Sequence, residues 1–353
     1  MCMEKSEERK IHIDLLRIVA CFSVIMLHSA AQYWYDLPVS STRWLVCNTY
    51  DGLFRFGVPV FVMISGMLFL GKEGKTDVKK LYRNNILRLA CAYVTWSILY
   101  GLWDCRTWFG NTDVGWKKYV SEMLLGRYHL WFVPMLMGIY MLLPVLKEMT
   151  DHCSKKQIEY FLCLFFILQI GRRTLDIVTI PNVVKDFSDR LDVEMVCSYV
   201  GYFILGYYLH RFVPSQRKRK LLYVLGILGL LLAPIVSNVL SVRKEEPLSA
   251  SYDSFSIFTF LASVAVFVFF EQVVSKVRWK QWMRKGILEL SANSFGVYLM
   301  HILVFEMLQA KGIDSMSIDS LAGIPLLAVV CFILCNIAIS LLRRVPVLGK
   351  YTC

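Results

Sequence analysis

Three ionisable side chains, Asp14, Arg17 and His28, lie in the first apolar stretch of this 353-residue chain. Asp14 and Arg17 are three residues apart and Arg17 and His28 eleven, and at about 100° per residue eleven residues make three turns and return to nearly the same azimuth. All three share one helix face. At about 1.5 Å per residue Arg17 and His28 are roughly 16 Å apart along the axis, so the stripe runs from the headgroups to about mid-depth. A charge near the centre of a bilayer costs at least about 2.5–3.5 kcal/mol and is retained for a partner or a purpose. His28 therefore reads either as interhelical glue or as a proton acceptor poised near neutral pH. Arg17 reads either as a snorkelling anchor with Asp14 as its i,i+3 partner, or as part of the same site.

A second histidine, His301, lies about thirteen residues into another apolar stretch, inside Ser-Ala-Asn-Ser-Phe-Gly-Val-Tyr-Leu-Met-His. Two histidines at similar depth on different helices suggest a lined cavity, the alternative being a packed, hydrogen-bonded ring. Ser291, Asn293 and Ser294 precede it, either as extra donors or as N-cap residues after Gly286. Lys79, Lys80, Arg83 and Arg88 gather where the third span begins, a contact for anionic lipid or a fork for phosphates. At the other surface, Arg127, Tyr128, His129, Leu130, Trp131 and Phe132 read as an interfacial aromatic belt or as a surface for sugar rings. Asp51 and Arg55 are spaced to pair, and Pro59 followed by Ser65-Gly66 marks a place where that helix can break.

The elements that must position these residues are membrane helices. At 56% hydrophobic and 19% charged the chain lies outside soluble composition, which runs near 45–50% and about 25%. The expected fold is an all-α polytopic membrane protein, one integral-membrane domain over 1–353. Its spans are expected near 13–34, 52–71, 87–104, 129–147, 158–175, 195–213, 221–240, 254–273, 288–309 and 321–342. The 104–128 segment, with Trp103, Trp108, Trp116 and Tyr119, leaves room for an interfacial helix. Ten spans put both termini on one side. With the termini cytoplasmic, about two-thirds of the 39 lysines and arginines fall inside, as the positive-inside rule asks. The formal charge of +12 is then topology and not a nucleic-acid footprint. The charged first span is expected to be retained and not cleaved as a signal peptide. Eleven cysteines are scattered without a CxxC or a Cys/His cluster, so neither a metal site nor a disulfide scaffold is expected.

Several of these pieces, in this order, resemble the membrane-bound acyltransferase 3 family, most closely the type that O-acetylates enterobacterial common antigen. They are Ile13-Asp14-Leu15-Leu16-Arg17 with His28, Val58-Pro59-Val60-Phe61-Val62-Met63-Ile64-Ser65-Gly66-Met67-Leu68-Phe69, Tyr128-His129-Leu130-Trp131-Phe132, Ser294 to His301, and Arg343-Arg344-Val345-Pro346. The resemblance runs through nearly the whole chain. It implies about ten transmembrane helices, no appended soluble domain, a bacterial cytoplasmic membrane, and transfer of an acyl group, usually acetyl from acetyl-CoA, to a hydroxyl of a cell-surface glycan or lipid-linked sugar. The family's arginine-to-histidine motif maps onto Arg17 and His28, and its basic motif onto Arg83–Arg88. At one point the pattern departs: Asn85 stands where many members carry the first arginine of a pair with Arg88.

On that resemblance the expected site has His28, Arg17, Asp14 and His301 at the chemistry, with Asp14 orienting Arg17. Arg83, Arg88 and Arg17 hold the donor's phosphates at the cytoplasmic mouth. Arg55, His129 and Trp131 meet the acceptor outside. The partners are acetyl-CoA, the glycan and membrane lipid, with no metal and no nucleic acid. A transporter for a small polar solute, using the same intramembrane His/Arg/Asp stripe, is the alternative, and a purely structural scaffold a third.

Overall fold

A computed structural model describes residues 10–108, 116–175, 177, 193–345 and 349. Regular structure among them is entirely helical: α1 (Ile11–Ala31), α2 (Thr42–Phe54), α3 (Gly57–Leu70), α4 (Val78–Leu81), α5 (Leu87–Trp108), α6 (Trp116–Leu125), α7 (Phe132–His152), α8 (Lys155–Phe165), α9 (Arg172–Leu175), α10 (Val193–Arg211), α11 (Gln216–Lys244), α12 (Ile257–Gln272), α13 (Gln281–Gln309) and α14 (Ser320–Leu342). Five helices, α2, α4, α8, α12 and α14, start at side chains that satisfy unpaired backbone N–H groups. Ser41, Asp77, Ser154, Ser256 and Asp319 each accept a backbone hydrogen bond from the first turn that follows.

Eight of the ten expected spans coincide with helices long and apolar enough to cross a bilayer. The other two, expected at 158–175 and 195–213, are helical as well. From α8 the chain continues through a π-helical turn, Phe166–Gly171, into α9. This pass runs antiparallel to α10, with Tyr208 Oη donating to Glu159 Oε1 at 2.6 Å near one end and Phe165 packing on Tyr202 at 5.3 Å further along. The segment held open between the third and fourth spans does contain a helix, α6; the side chains of Trp108, Trp116 and Tyr119 lie outside the described residues, as does Pro346 of the closing motif.

The second span differs from the expected 52–71. It begins at Thr42 and is two helices, broken at Arg55–Phe56. Pro59 lacks the N–H that would bond the Arg55 carbonyl, so the ladder fails one turn before the proline. Ser65-Gly66, the other expected break, is unbroken helix. Its glycine serves a different end: a Cβ on Gly66 would stand 1.7 Å from the Phe203 carbonyl oxygen, and one on Gly206 would stand 2.0 Å from the Met63 oxygen. Helices α3 and α10 therefore cross backbone to backbone, the close approach that small residues permit in membranes. At the basic end of the bundle, Glu271 ties three helices: its carboxylate meets His12 Nε2 at 3.1 Å and His210 Nδ1 at 2.7 Å, and Lys10 Nζ donates to His210 Nε2 at 3.1 Å.

Gly66→Ala is expected to cost about 1–3 kcal/mol, the usual penalty of overpacking. The measurement is thermal unfolding of the purified protein in detergent. Gly138→Ala, where a Cβ meets nothing within 4 Å, is the control and is expected to leave the midpoint unchanged or slightly raised.

Candidate active site

The stripe on α1 faces α13, and the two helices run parallel in register. Near the basic end the Ser291 hydroxyl donates to Asp14 Oδ1 at 2.6 Å and accepts from Arg17 Nη1 at 3.5 Å. A turn further on, Cys21 Sγ donates to the Ser294 carbonyl at 3.4 Å. Towards the other end the rings of His28 and His301 lie 5.1 Å apart. Asp14 thus orients Arg17 through Ser291 as well as directly, at 3.9 Å. The N-cap expectation for Ser291, Asn293 and Ser294 is corrected: α13 begins ten residues earlier, at Gln281, and these side chains are buried within it. Asn293 Nδ2 donates to Ser340 Oγ at 2.8 Å, and its Oδ1 accepts from Arg343 at 2.6 Å, which ties α13 to the end of α14.

Two cavities open on opposite sides of this register. The inner one, about 630 Å³ at the basic end, is lined by Arg17, Arg83, Arg88 and Arg343, with Ser65, Asn84, Asn85, Tyr140 and Ser291. No carboxylate is among its described lining residues, though Asp14 and Glu289 pair with Arg17 and Arg343 beside it. Four guanidiniums converging from four helical segments around such a space make a site for phosphate oxygens, which arginine holds by forked, charge-assisted hydrogen bonds. The three arginines expected there are thus brought together. Arg343 joins them from a motif noticed in the sequence but given no role.

The outer cavity, about 570 Å³, is lined by His28, Gln32, Tyr35, Arg55, Tyr128, Trp131, Glu306 and Gln309, among others. Arg55 sits at the elbow between α2 and α3, paired with buried Asp51 at 2.5 Å and stacked over the Tyr252 ring at 5.0 Å. The expected Asp51–Arg55 pair is present, and Arg55 lies in the break between the two helices. Glu306 accepts from Arg127, which also donates to Asp104 at 2.9 Å.

Between the cavities stands a wall of rings. His129 and His301, both buried, lie 5.0 Å apart, and His28 is 6.5 Å from His129. Tyr298 and Phe132, 5.4 Å apart, close the inner side. His301 Nδ1 is 2.6 Å from the Tyr298 carbonyl, an acceptor only, so the proton sits on Nδ1 and Nε2 keeps its lone pair. His129 Nε2 faces the Leu299 carbonyl at 3.3 Å by the same logic, which leaves its lone pair on Nδ1. Both nitrogens are buried and have no hydrogen-bond partner among the described residues. In its neutral form each imidazole thus holds an uncommitted base within the cluster.

His28 is in the last turn of α1, three residues before Ala31, and His129 precedes α7. The cluster thus lies closer to the outer end than the mid-depth expected from helix rise, because α1 stops at Ala31 and the chain turns over 32–36. His129, expected at the acceptor surface, is withdrawn into the wall, whereas Trp131 and Arg55 do line the outer cavity. Sequence reasoning missed Glu306, Tyr298 and the pairing of Tyr128 with His28, whose rings lie 5.6 Å apart. The available signal was Glu306 itself, an acid five residues beyond His301 in an apolar run.

An anion with two phosphate groups is expected to bind the inner cavity. Inorganic pyrophosphate titrated by calorimetry should lose about tenfold in affinity in Arg83→Gln or Arg343→Gln, the effect of one lost charge-assisted hydrogen bond. Arg55→Gln, in the other cavity, should leave the isotherm unchanged.

Among known proteins, the acyltransferase-domain model of the acyltransferase 3 family matches residues 10–343. No curated protein and no solved structure matches the chain. The match gives the transporter alternative no support. A family model spanning nearly the whole chain, on a helical bundle that puts an arginine-lined cavity and a histidine wall where the motifs fall, establishes the class: the chain belongs to the acyltransferase 3 family and is a membrane acyltransferase.

Proposed function

We propose that the protein moves an acetyl group from cytosolic acetyl-CoA to a hydroxyl of an extracytoplasmic or lipid-linked sugar, across the bacterial cytoplasmic membrane. The observation that carries this reading is the pairing of two chemically different cavities on either side of one histidine wall. The donor's phosphates rest on Arg17, Arg83, Arg88 and Arg343, and the slender pantetheine arm extends towards Tyr298 and Phe132. The acceptor enters from the opposite side and presents a hydroxyl to His28. Neither substrate crosses the membrane, and only the acetyl group changes sides.

The chemistry balances without a metal or a redox partner. His28 takes the hydroxyl proton as the oxygen attacks the thioester carbonyl, the C–S bond breaks, the ester C–O bond remains, and the thiolate leaves. The proton then returns from the imidazolium to sulfur, giving free CoA thiol. General-base assistance of this kind is worth about 10²–10⁴-fold. His301, whose Nε2 lone pair lies in the same cluster, relays that proton towards the inner side, where the thiolate departs. A transient acetyl-imidazole on His28 is the second route the same arrangement permits, and mass spectrometry of acid-quenched enzyme separates the two.

The test is sidedness. Inside-out membrane vesicles given labelled acetyl-CoA outside and a mixture of sugar glycosides in the lumen should accumulate acetylated glycoside in the lumen while CoA thiol appears outside. Product formed only when donor and acceptor share a compartment overturns the proposal. Tyr298→Ala, which opens the inner side of the wall, is expected to raise acetyl-CoA hydrolysis relative to transfer, measured as thiol released per ester formed.

A further inference from the structure

The two cavities differ in charge as sharply as in position. The inner one has four arginines and no carboxylate among its described lining residues, and two of the four answer a carboxylate beside it, Arg17 with Asp14 and Arg343 with Glu289. The outer one has one arginine and one glutamate, each already held by a partner of opposite sign: Arg55 by Asp51 and Glu306 by Arg127. Arg127 answers two carboxylates, Asp104 and Glu306. An anionic group entering this cavity would meet one open cationic donor, Arg55 Nε, on a guanidinium whose charge Asp51 already answers, and would have to approach the Glu306 carboxylate. Like-charge contact in a partly desolvated space is unfavourable, and specificity is often built from such repulsion.

The remaining chemistry fits an uncharged, hydroxyl-rich ring. The Glu306 carboxylate is held by Arg127 and by the Trp103 side chain, while its Oε2 is buried with no hydrogen-bond partner of its own among the described residues. A carboxylate oxygen can only accept, so its complement is an O–H or N–H donor. Tyr35, Tyr128 and Trp131, all exposed, offer flat apolar faces around the cavity with polar tips, which suits the C–H face of a sugar. Gln32 and Gln309 add carboxamides at the rim; Gln32 Oε1 accepts from the Ser315 amide at 3.0 Å, which leaves its NH₂ for a ligand oxygen. Glu306 and His28 line the same space, so one sugar is within reach of both.

We infer that the outer cavity selects an uncharged sugar ring, and that Glu306 is the residue that selects it, by accepting a hydroxyl of the ring whose other hydroxyl is offered to His28. Any phosphate of a lipid-linked acceptor lies outside this cavity. The inference rests on the proposed function, in which this cavity takes the acceptor, and deepens it by naming the acceptor's class.

The experiment compares p-nitrophenyl glycosides in lipid nanodiscs with labelled acetyl-CoA: the glucoside, galactoside and N-acetylglucosaminide against the glucuronide, the galacturonide and the glucoside 6-phosphate. Acetyl-CoA hydrolysis without acceptor is followed in parallel, since it reports folding and the donor side. Wild type is expected to acetylate at least one neutral glycoside with kcat/KM about tenfold or more above its charged counterpart. Glu306→Gln, which keeps the shape but can no longer repel an anion, should raise KM for the neutral glycoside about tenfold with little change in kcat and narrow the preference against the uronide. The inference is overturned if uronides or the phosphate are used as well as the neutral sugars. It is also overturned if Glu306→Gln leaves the preference intact, or if no glycoside is acetylated by enzyme that hydrolyses acetyl-CoA. Absence of any acetyl-CoA consumption by wild type overturns instead the acetyltransferase reading beneath it.

Discussion

Everything in this bundle depends on the parallel register of α1 against α13. Polar side chains inside a membrane are stable only where another polar group meets them, and along this interface each does: Asp14 with Ser291, Cys21 with the Ser294 carbonyl, His28 beside His301. A one-residue slip would turn Asp14 and Arg17 towards apolar neighbours and would separate the histidines. Two helices 277 residues apart in sequence are thereby locked at one height. The same register sets Arg17 beside the inner cavity and His28 beside the outer one.

From that register follows the division of labour. The arginines sit where the chain meets the basic end, because that is where long cationic side chains reach water, and there they enclose a cavity with no acid among its described lining residues. At the opposite end the charges are paired within the protein, and the cavity surface is left to aromatic rings, carboxamides and one carboxylate oxygen. What separates the two is a few rings thick. In the proposed reaction the acetyl group then has to cross only this wall and not the full hydrocarbon core of about 30 Å.

Most of the bundle could be read from hydropathy, because twenty-residue apolar runs have few other uses. The α1 stripe and His301 could be read because helical periodicity converts spacing into a shared face. Three features could not. Ser291 resembled a helix cap because it follows Gly286, whereas α13 extends to Gln281 and runs through that glycine, where an added Cβ would meet nothing within 4 Å. The break near Pro59 was foreseen in kind but misplaced, since a proline breaks the ladder one turn ahead of itself, and Gly66 answers a backbone crossing that only the tertiary structure reveals. Glu306 acquires meaning from Arg127, 179 residues away, and no periodicity links the two.

The central claim is that binding at the inner cavity and chemistry at the wall are separable, and one measurement addresses it directly: acetyl-CoA binding and acetyl loss followed in the same samples of wild type, Arg88→Ala and His28→Ala. Wild type should bind and turn over, Arg88→Ala should bind poorly, and His28→Ala should bind as wild type does while losing turnover about 10²–10⁴-fold. Wild type that fails to bind acetyl-CoA at millimolar concentration, or a His28→Ala protein that turns over normally, contradicts it.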